Sequence, residues 1–99
     1  MTITQKAENG TLILTLEGRL DTATSPQLQD TLLPVFGENK DVVLDFSKLA
    51  YVSSAGLRVL LMGQKEAQGK GASMKLSNVS SDIMEVFEMT GFSDILSFA

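Results

Sequence analysis

The stretch YVSSAGLRVLL, from Tyr51 to Leu61, passes from a β-branched apolar end through two serines and a glycine into a helical pattern. Leu57, Leu60 and Leu61 share one helical face, widened by Val59 and Met62, so a strand gives way here to a helix. A helix start needs only one side-chain oxygen as its N-cap, worth about 1 kcal/mol. Ser53 and Ser54 supply two, and the second is free for a role the fold does not require.

Working outward, Asp41-Val-Val-Leu-Asp-Phe46 is a short β-branched apolar run. It reads as the central strand of a parallel sheet, covered on both faces. After the helix, the glycines of Gln68-Gly-Lys-Gly-Ala72 form a stop, and Ser73 to Leu76 returns as a strand. A third helix is expected from Ser80 or Ser81, with Ile83, Val86 and Phe87 inward. Thr90-Gly91 ends it, glycine being suited to the left-handed conformation of a C′ residue, and Phe92 packs back. The tail from Ser93 to Phe98 suits one helical turn and a last edge strand.

Toward the N-terminus, residues Thr2 to Ala7 and Thr11 to Glu17 form an expected hairpin about Glu8-Asn9-Gly10, with Leu12, Leu14 and Leu16 on one face. Gly18-Arg19-Leu20-Asp21 is expected to leave the strand. Thr24-Ser25-Pro26 offers a hydroxyl cap and a proline at the first helical turn, where its missing N–H costs nothing. Pro34 should kink or end that helix, and Gly37 and Asn39 close it. The alternation of strand and helix predicts an α/β fold, a mixed β-sheet with an antiparallel first strand, parallel central strands and helical crossovers.

The 99 residues, 43% hydrophobic and 20% charged, suit one domain over residues 1–99 and leave no room for a second core. Twelve acidic against eight basic residues give a net charge of −4, and the basic ones are scattered, which argues against direct nucleic-acid binding. Apolar runs fall far short of the roughly 20 residues needed to cross a bilayer. The N-terminus lacks a basic segment followed by an apolar signal core. A cytoplasmic protein without membrane insertion is expected. The chain holds no cysteine and no histidine, which removes disulfides, thiolate and Ser-His-Asp chemistry, and zinc sites built from Cys or His.

Each chemical candidate has a plainer competitor. A nucleophile elbow about Ser54 would need glycine where Val52 stands, and a base that the chain lacks. A Ser-Lys pair using Lys48, Lys65 or Lys70 has the right residue types, but nothing in the sequence brings a lysine to Ser54. Gln68-Gly-Lys-Gly-Ala-Ser73 departs from the phosphate-binding loop, since Gly71 follows Lys70 where a hydroxyl belongs. Asp21 and Asp45 read as turn or cap residues that could also flank the serine loop. Asp82, Glu85 and Glu88 recur on the third helix as a solvated face and a secondary docking candidate. No enzyme activity, metal or cofactor is expected. Small neighbours Ala55 and Gly56 leave the second serine accessible to a kinase, and a phosphate there would meet the favourable end of the helix dipole.

Three motifs in order, Gly18-Arg19-Leu20-Asp21, Ser53-Ser54-Ala55-Gly56-Leu57 and Val86-Phe87-Glu88-Met89-Thr90-Gly91-Phe92, make the whole chain resemble a STAS domain, the fold of bacterial anti-sigma factor antagonists. In that family the phosphoacceptor lies two residues before the loop glycine, which corresponds to Ser54, with Ser53 the second candidate. Ser53 stands where the family often has aspartate. The resemblance implies partner switching. The unphosphorylated protein binds an anti-sigma factor that is also a serine kinase, phosphorylation releases it, and a serine phosphatase resets it. The implied partner-facing set is Asp21, Thr22, Ser53, Ser54, Ala55, Gly56 and Arg58. The competing expectation keeps the fold and makes the chain a regulatory subunit of a membrane transporter such as a lipid-export ATP-binding cassette system. Small-molecule or nucleotide binding in the loop region has no supporting feature in the sequence.

Overall fold

The computed structural model describes residues 1–99, and its strands form one five-stranded sheet in sequence order. Strand β1 (Thr2–Glu8) pairs antiparallel with β2 (Thr11–Leu20) through the expected hairpin. From β2 onward every pairing is parallel: β2 with β3 (Asp41–Val52), β3 with β4 (Ser73–Ser77), and β4 with β5 (Ser97–Phe98). Parallel neighbours need a crossover, and α1 (Ser25–Leu32), α2 (Ser54–Gly69) and α3 (Ser81–Thr90) supply three.

Each strand from β3 to β5 is laid down beside the last in the same direction. Right-handed crossovers then place every helix on the same side of the sheet. The burial pattern agrees. Leu12, Leu14 and Leu16 of β2, Val42, Leu44 and Phe46 of β3, and Met74 and Leu76 of β4 join Leu28, Leu60, Ile83 and Phe87 from the helices in one core. The opposite face carries no helix: Ile13, Val43 and Asp45 are half-buried there and Lys75 is exposed. This corrects the expectation that the Asp41–Phe46 run is covered on both faces. Its β-branched density reflects the central place of β3 between β2 and β4 rather than a second helical layer.

Two further boundaries differ from expectation. The Gly18-Arg19-Leu20 segment stays in β2, and β3 runs on past Phe46 to Val52. Register shifts between Thr15 and Glu17, and again between Gly18 and Arg19, insert extra β3 residues opposite β2. The buried positions of β3 are therefore 42, 44, 46, 49 and 52, stepping by two and then by three. Bulges of this kind twist the strand and re-aim its side chains.

The helix boundaries follow the expected signals. Pro26 lies in the first turn of α1, which stops at Leu32 and passes into a 3-10 turn over Leu33–Gly37 that contains Pro34. Gly91 follows α3 at φ 82°, the left-handed conformation expected of it. The chain then makes a short 3-10 turn, Phe92–Asp94, and closes as edge strand β5. Phe87 is fully buried between the rings of Phe46 and Phe98, with centroids at 6.3 and 6.0 Å, and so ties α3 and β5 to the central strand.

Candidate functional site

β2 and β3 end side by side, Leu20 opposite Val52, and each then feeds a helix. The backbone N–H of Ser53 donates to the Leu20 carbonyl at 2.9 Å, joining the two βα loops. The sequence motifs about Asp21 and Ser53-Ser54 therefore stand together beyond the carboxyl ends of the parallel strands, where helix N-termini converge in α/β sheets.

The Asp21 loop is built from its own side chains. The Asp21 Oδ1 atom accepts from the backbone N–H groups of Ala23 and Thr24, each at 3.0 Å, and lies 3.2 Å from the Thr24 hydroxyl oxygen. The Thr24 N–H is the largest influence holding the Asp21 carboxyl below its ordinary 3.8; desolvation opposes it, while the Thr24 hydroxyl, the Ala23 N–H and the Arg19 charge reinforce it. The hydroxyl cap expected of the Thr24-Ser25-Pro26 stretch does not form: Thr24 is the N-cap residue of α1, but its Oγ1 does not bond the helix. It accepts from the Asp21 N–H at 2.9 Å and lies 2.8 Å from the Arg19 carbonyl, to which it donates. Asp21 is thus the turn residue its type suggested, and Thr22 stands exposed beside it.

The two serines divide the work at the start of α2. Ser53 is the N-cap: extended at φ −91°, ψ 174°, with its Oγ accepting from the Gly56 N–H at 3.2 Å. Ser54 is the first helical residue, it is exposed, and no hydrogen bond within the protein engages its hydroxyl. Ala55 is half-buried and Arg58 exposed. Gly56 is placed differently from the accessible neighbour the sequence suggested. It is buried against Leu20, and a Cβ there would lie 2.7 Å from Leu20 Cγ and 3.1 Å from the Leu20 carbonyl oxygen. Its part is to seat α2 on the end of β2, and it offers a partner no surface.

A shallow groove of about 380 Å³ runs from these loops between α1 and α2, lined by Thr22, Ser25, Pro26, Gln29, Ala55, Arg58, Val59 and Met62. Thr22, Ala55 and Arg58 of the expected partner-facing set therefore meet on one concave surface. At the ends of β2 and β3, the Arg19 guanidinium sits 4.2 Å above the Tyr51 ring and 3.9 Å from an Asp21 carboxylate oxygen. Tyr51 is 41% exposed, a large aromatic left at the surface beside the serine loop. Sequence reasoning passed over Arg19 and Tyr51, because the bulge that makes them partners across β2 and β3 leaves no mark in the hydrophobic pattern.

Other candidates lie elsewhere. Asp45 does not flank the serine loop, since β3 continues beyond it to Val52. Its Oδ1 accepts from the Ser47 N–H at 2.9 Å and the Asn78 amide at 3.0 Å, linking the middle of β3 to the loop after β4. Burial pushes its carboxyl up, and is outweighed by the hydrogen bonds from Asn78 and Ser47 and the charge of Lys48, which leave it below 3.8. Lys70 caps the far end of α2, about 24 Å from Ser54 by the helical rise. Asp82, Glu85 and Glu88 are all exposed on α3. No cluster of three or more His, Cys, Asp or Glu side chains is arranged to hold a metal ion. No helix is long and apolar enough to cross a membrane.

Comparison with known proteins gives this arrangement a context. The family model described as "Mlab, STAS domain" matches residues 3–97. The chain is 37% identical, over its whole length and 86% of the relative, to BtrV of Bordetella bronchiseptica, provisionally described as an anti-sigma factor antagonist. It is 27% identical to the anti-sigma-B factor antagonist of Bacillus subtilis, over 95% of this chain and 86% of that one. Its fold matches the phosphorylated form of the Bacillus cell fate determinant SpoIIAA with a TM-score of 0.75 at 20% identity, covering 99% of this chain and 91% of the other.

Proposed function

The chain belongs to the STAS domain family, among the anti-sigma factor antagonists, and from that premise we propose that it is a phospho-regulated partner-switching protein. In its unphosphorylated form it binds, in the cytoplasm, an anti-sigma factor that is also a serine kinase, and so frees the sigma factor. The kinase transfers the γ-phosphoryl group of ATP to Ser54 Oγ, the hydroxyl proton leaves with a base of the kinase, and ADP departs. The phosphorylated protein dissociates. A serine phosphatase then hydrolyses the ester with water and returns the hydroxyl.

The observation that carries this reading is the division of the serine pair. Ser53 is committed to capping, while Ser54 is exposed with an unengaged hydroxyl beside the groove. A phosphate adds about −1.5 to −2 charges at that point. Free, the domain keeps the dianion in water; docked against an apolar or acidic surface, it loses that solvation. A penalty of about 3 kcal/mol weakens binding more than a hundredfold.

Incubation with ATP and lysate of the source bacterium should add one phosphate to Ser54 and none to Ser54→Ala, read by intact-mass and peptide mass spectrometry. Affinity capture on the unmodified protein should retrieve a kinase-like protein that the Ser54→Asp form retains poorly. Equal retention by both forms would refute the switch. Recovery of an ATP-binding cassette protein in its place would move the function to transporter regulation.

A further inference from the structure

Resting on the reading of Ser54 as phosphoacceptor, we propose that Arg58 is the built-in counter-charge of the phosphate, drawn off the groove when Ser54 is phosphorylated. Ser54 and Arg58 are both exposed on α2 and stand at positions i and i+4. Residues so spaced lie on one face, about 5–6 Å apart at Cβ, and helical side chains lean toward the N-terminus. Helical geometry thus brings Ser54 within reach of the long Arg58 side chain. The order also matches the helix dipole, with the anion N-terminal to the cation.

Nothing else in the structure claims that guanidinium. The ion pairs are Lys6 with Glu8 and Arg19 with Asp21, so Arg58 has no carboxylate partner. Along α2 its neighbours three and four residues away are Ser54, Ala55, Leu61 and Met62, none of them acidic. Only a modified Ser54 would place an anion within its reach on that helix. An arginine fork suits a phosphate monoester, whose oxygens can accept two parallel N–H bonds.

Arg58 shares the groove with Thr22, Pro26 and Gln29. In the unmodified protein its cation is therefore offered at the groove to a carboxylate of the docked partner. Phosphorylation changes that surface twice, by adding a dianion at Ser54 and by turning the neighbouring cation inward to it. Arg58 is a positioning residue for the phosphate and takes no part in its transfer.

The test uses full-length protein with phosphoserine installed at position 54 during translation, so that no kinase is needed. A phosphorus NMR titration at low salt reads the second ionisation, near 6 for an unperturbed phosphoserine. The wild-type phosphate should titrate about 0.2–0.4 units below that of Arg58→Gln, the shift expected of one exposed i,i+4 ion pair. Arg58→Lys should recover part of the shift, keeping the charge and losing the fork. The unphosphorylated Arg58→Gln protein should melt with the wild type, which separates the effect from a structural role. Equal phosphate titrations in wild type and Arg58→Gln would overturn the proposal. Failure to find phosphate on Ser54 in cells would instead sink the functional reading and leave the titration result standing.

Discussion

Gly56→Ala tests the packing that seats the serine loop. The added methyl would meet Leu20 Cγ at 2.7 Å, its Cδ2 at 3.0 Å and its carbonyl oxygen at 3.1 Å. Leu20 is fully buried and cannot swing away, and its carbonyl already holds the Ser53 N–H. Overpacking of this kind costs about 1–3 kcal/mol, and the better helix propensity of alanine returns at most about 1 kcal/mol. The net loss is about 1–2 kcal/mol, which for a domain of this size lowers Tm by roughly 5–15 °C. Gly69→Ala is the control within the same helix, because a Cβ there meets nothing within 4 Å. It should leave stability unchanged or raise it by a few tenths of a kcal/mol. Urea unfolding followed by far-UV circular dichroism measures both variants. If Gly56→Ala proved as stable as Gly69→Ala, the close seating of α2 on β2 would be wrong.

Ser53→Ala should cost about 1 kcal/mol through loss of the cap, whereas Ser54→Ala should stay within about 0.5 kcal/mol, as for an unengaged surface residue; equal losses in urea unfolding would contradict the division of the pair. Asp45 ionises more readily in the folded chain than in the unfolded one, so the unfolded state binds the extra proton as pH falls. Its contribution is complete above the ordinary carboxylate value of 3.8 and is lost as pH drops through the lower folded value. Asp45→Asn should therefore flatten the acid limb of a Tm-against-pH profile below about pH 5, and an unchanged limb would dismiss the Asn78 and Ser47 bonds as its source.

The helices could be read from the chain because their signals are local. Ser80 accepts from the Ile83 N–H at 3.2 Å as α3 begins, Pro26 opens α1, and Gly91 closes α3 in the conformation its lack of a Cβ allows. The second half of β3 could not be read, since its inward residues Leu49 and Val52 step by three where a strand pattern steps by two. That change of phase comes from pairing with β2, information that no window on one strand contains. Thr24 shows the same limit. A hydroxyl before a helix suggests a cap, but its neighbours Arg19 and Asp21 compete for it through a loop whose shape only the fold sets. At the site, the residue types of Ser53-Ser54 announced a cap and a spare hydroxyl. Which small neighbour faces solvent and which faces Leu20 depended on how closely α2 approaches β2.

The hydrogen bond from the Ser53 N–H to the Leu20 carbonyl has a kinetic meaning as well as a geometric one. With the Asp21 turn bonded within itself and the serine loop capped, both loops hold their shape before any partner arrives. Freezing a backbone residue costs about 1–2 kcal/mol, and a partner landing on these loops is spared that cost. Under the proposed partner switch, the domain would work as a fixed template whose message is written in charge alone. The enzymes that write and erase the mark would then set its response time, with no folding step of its own to wait for.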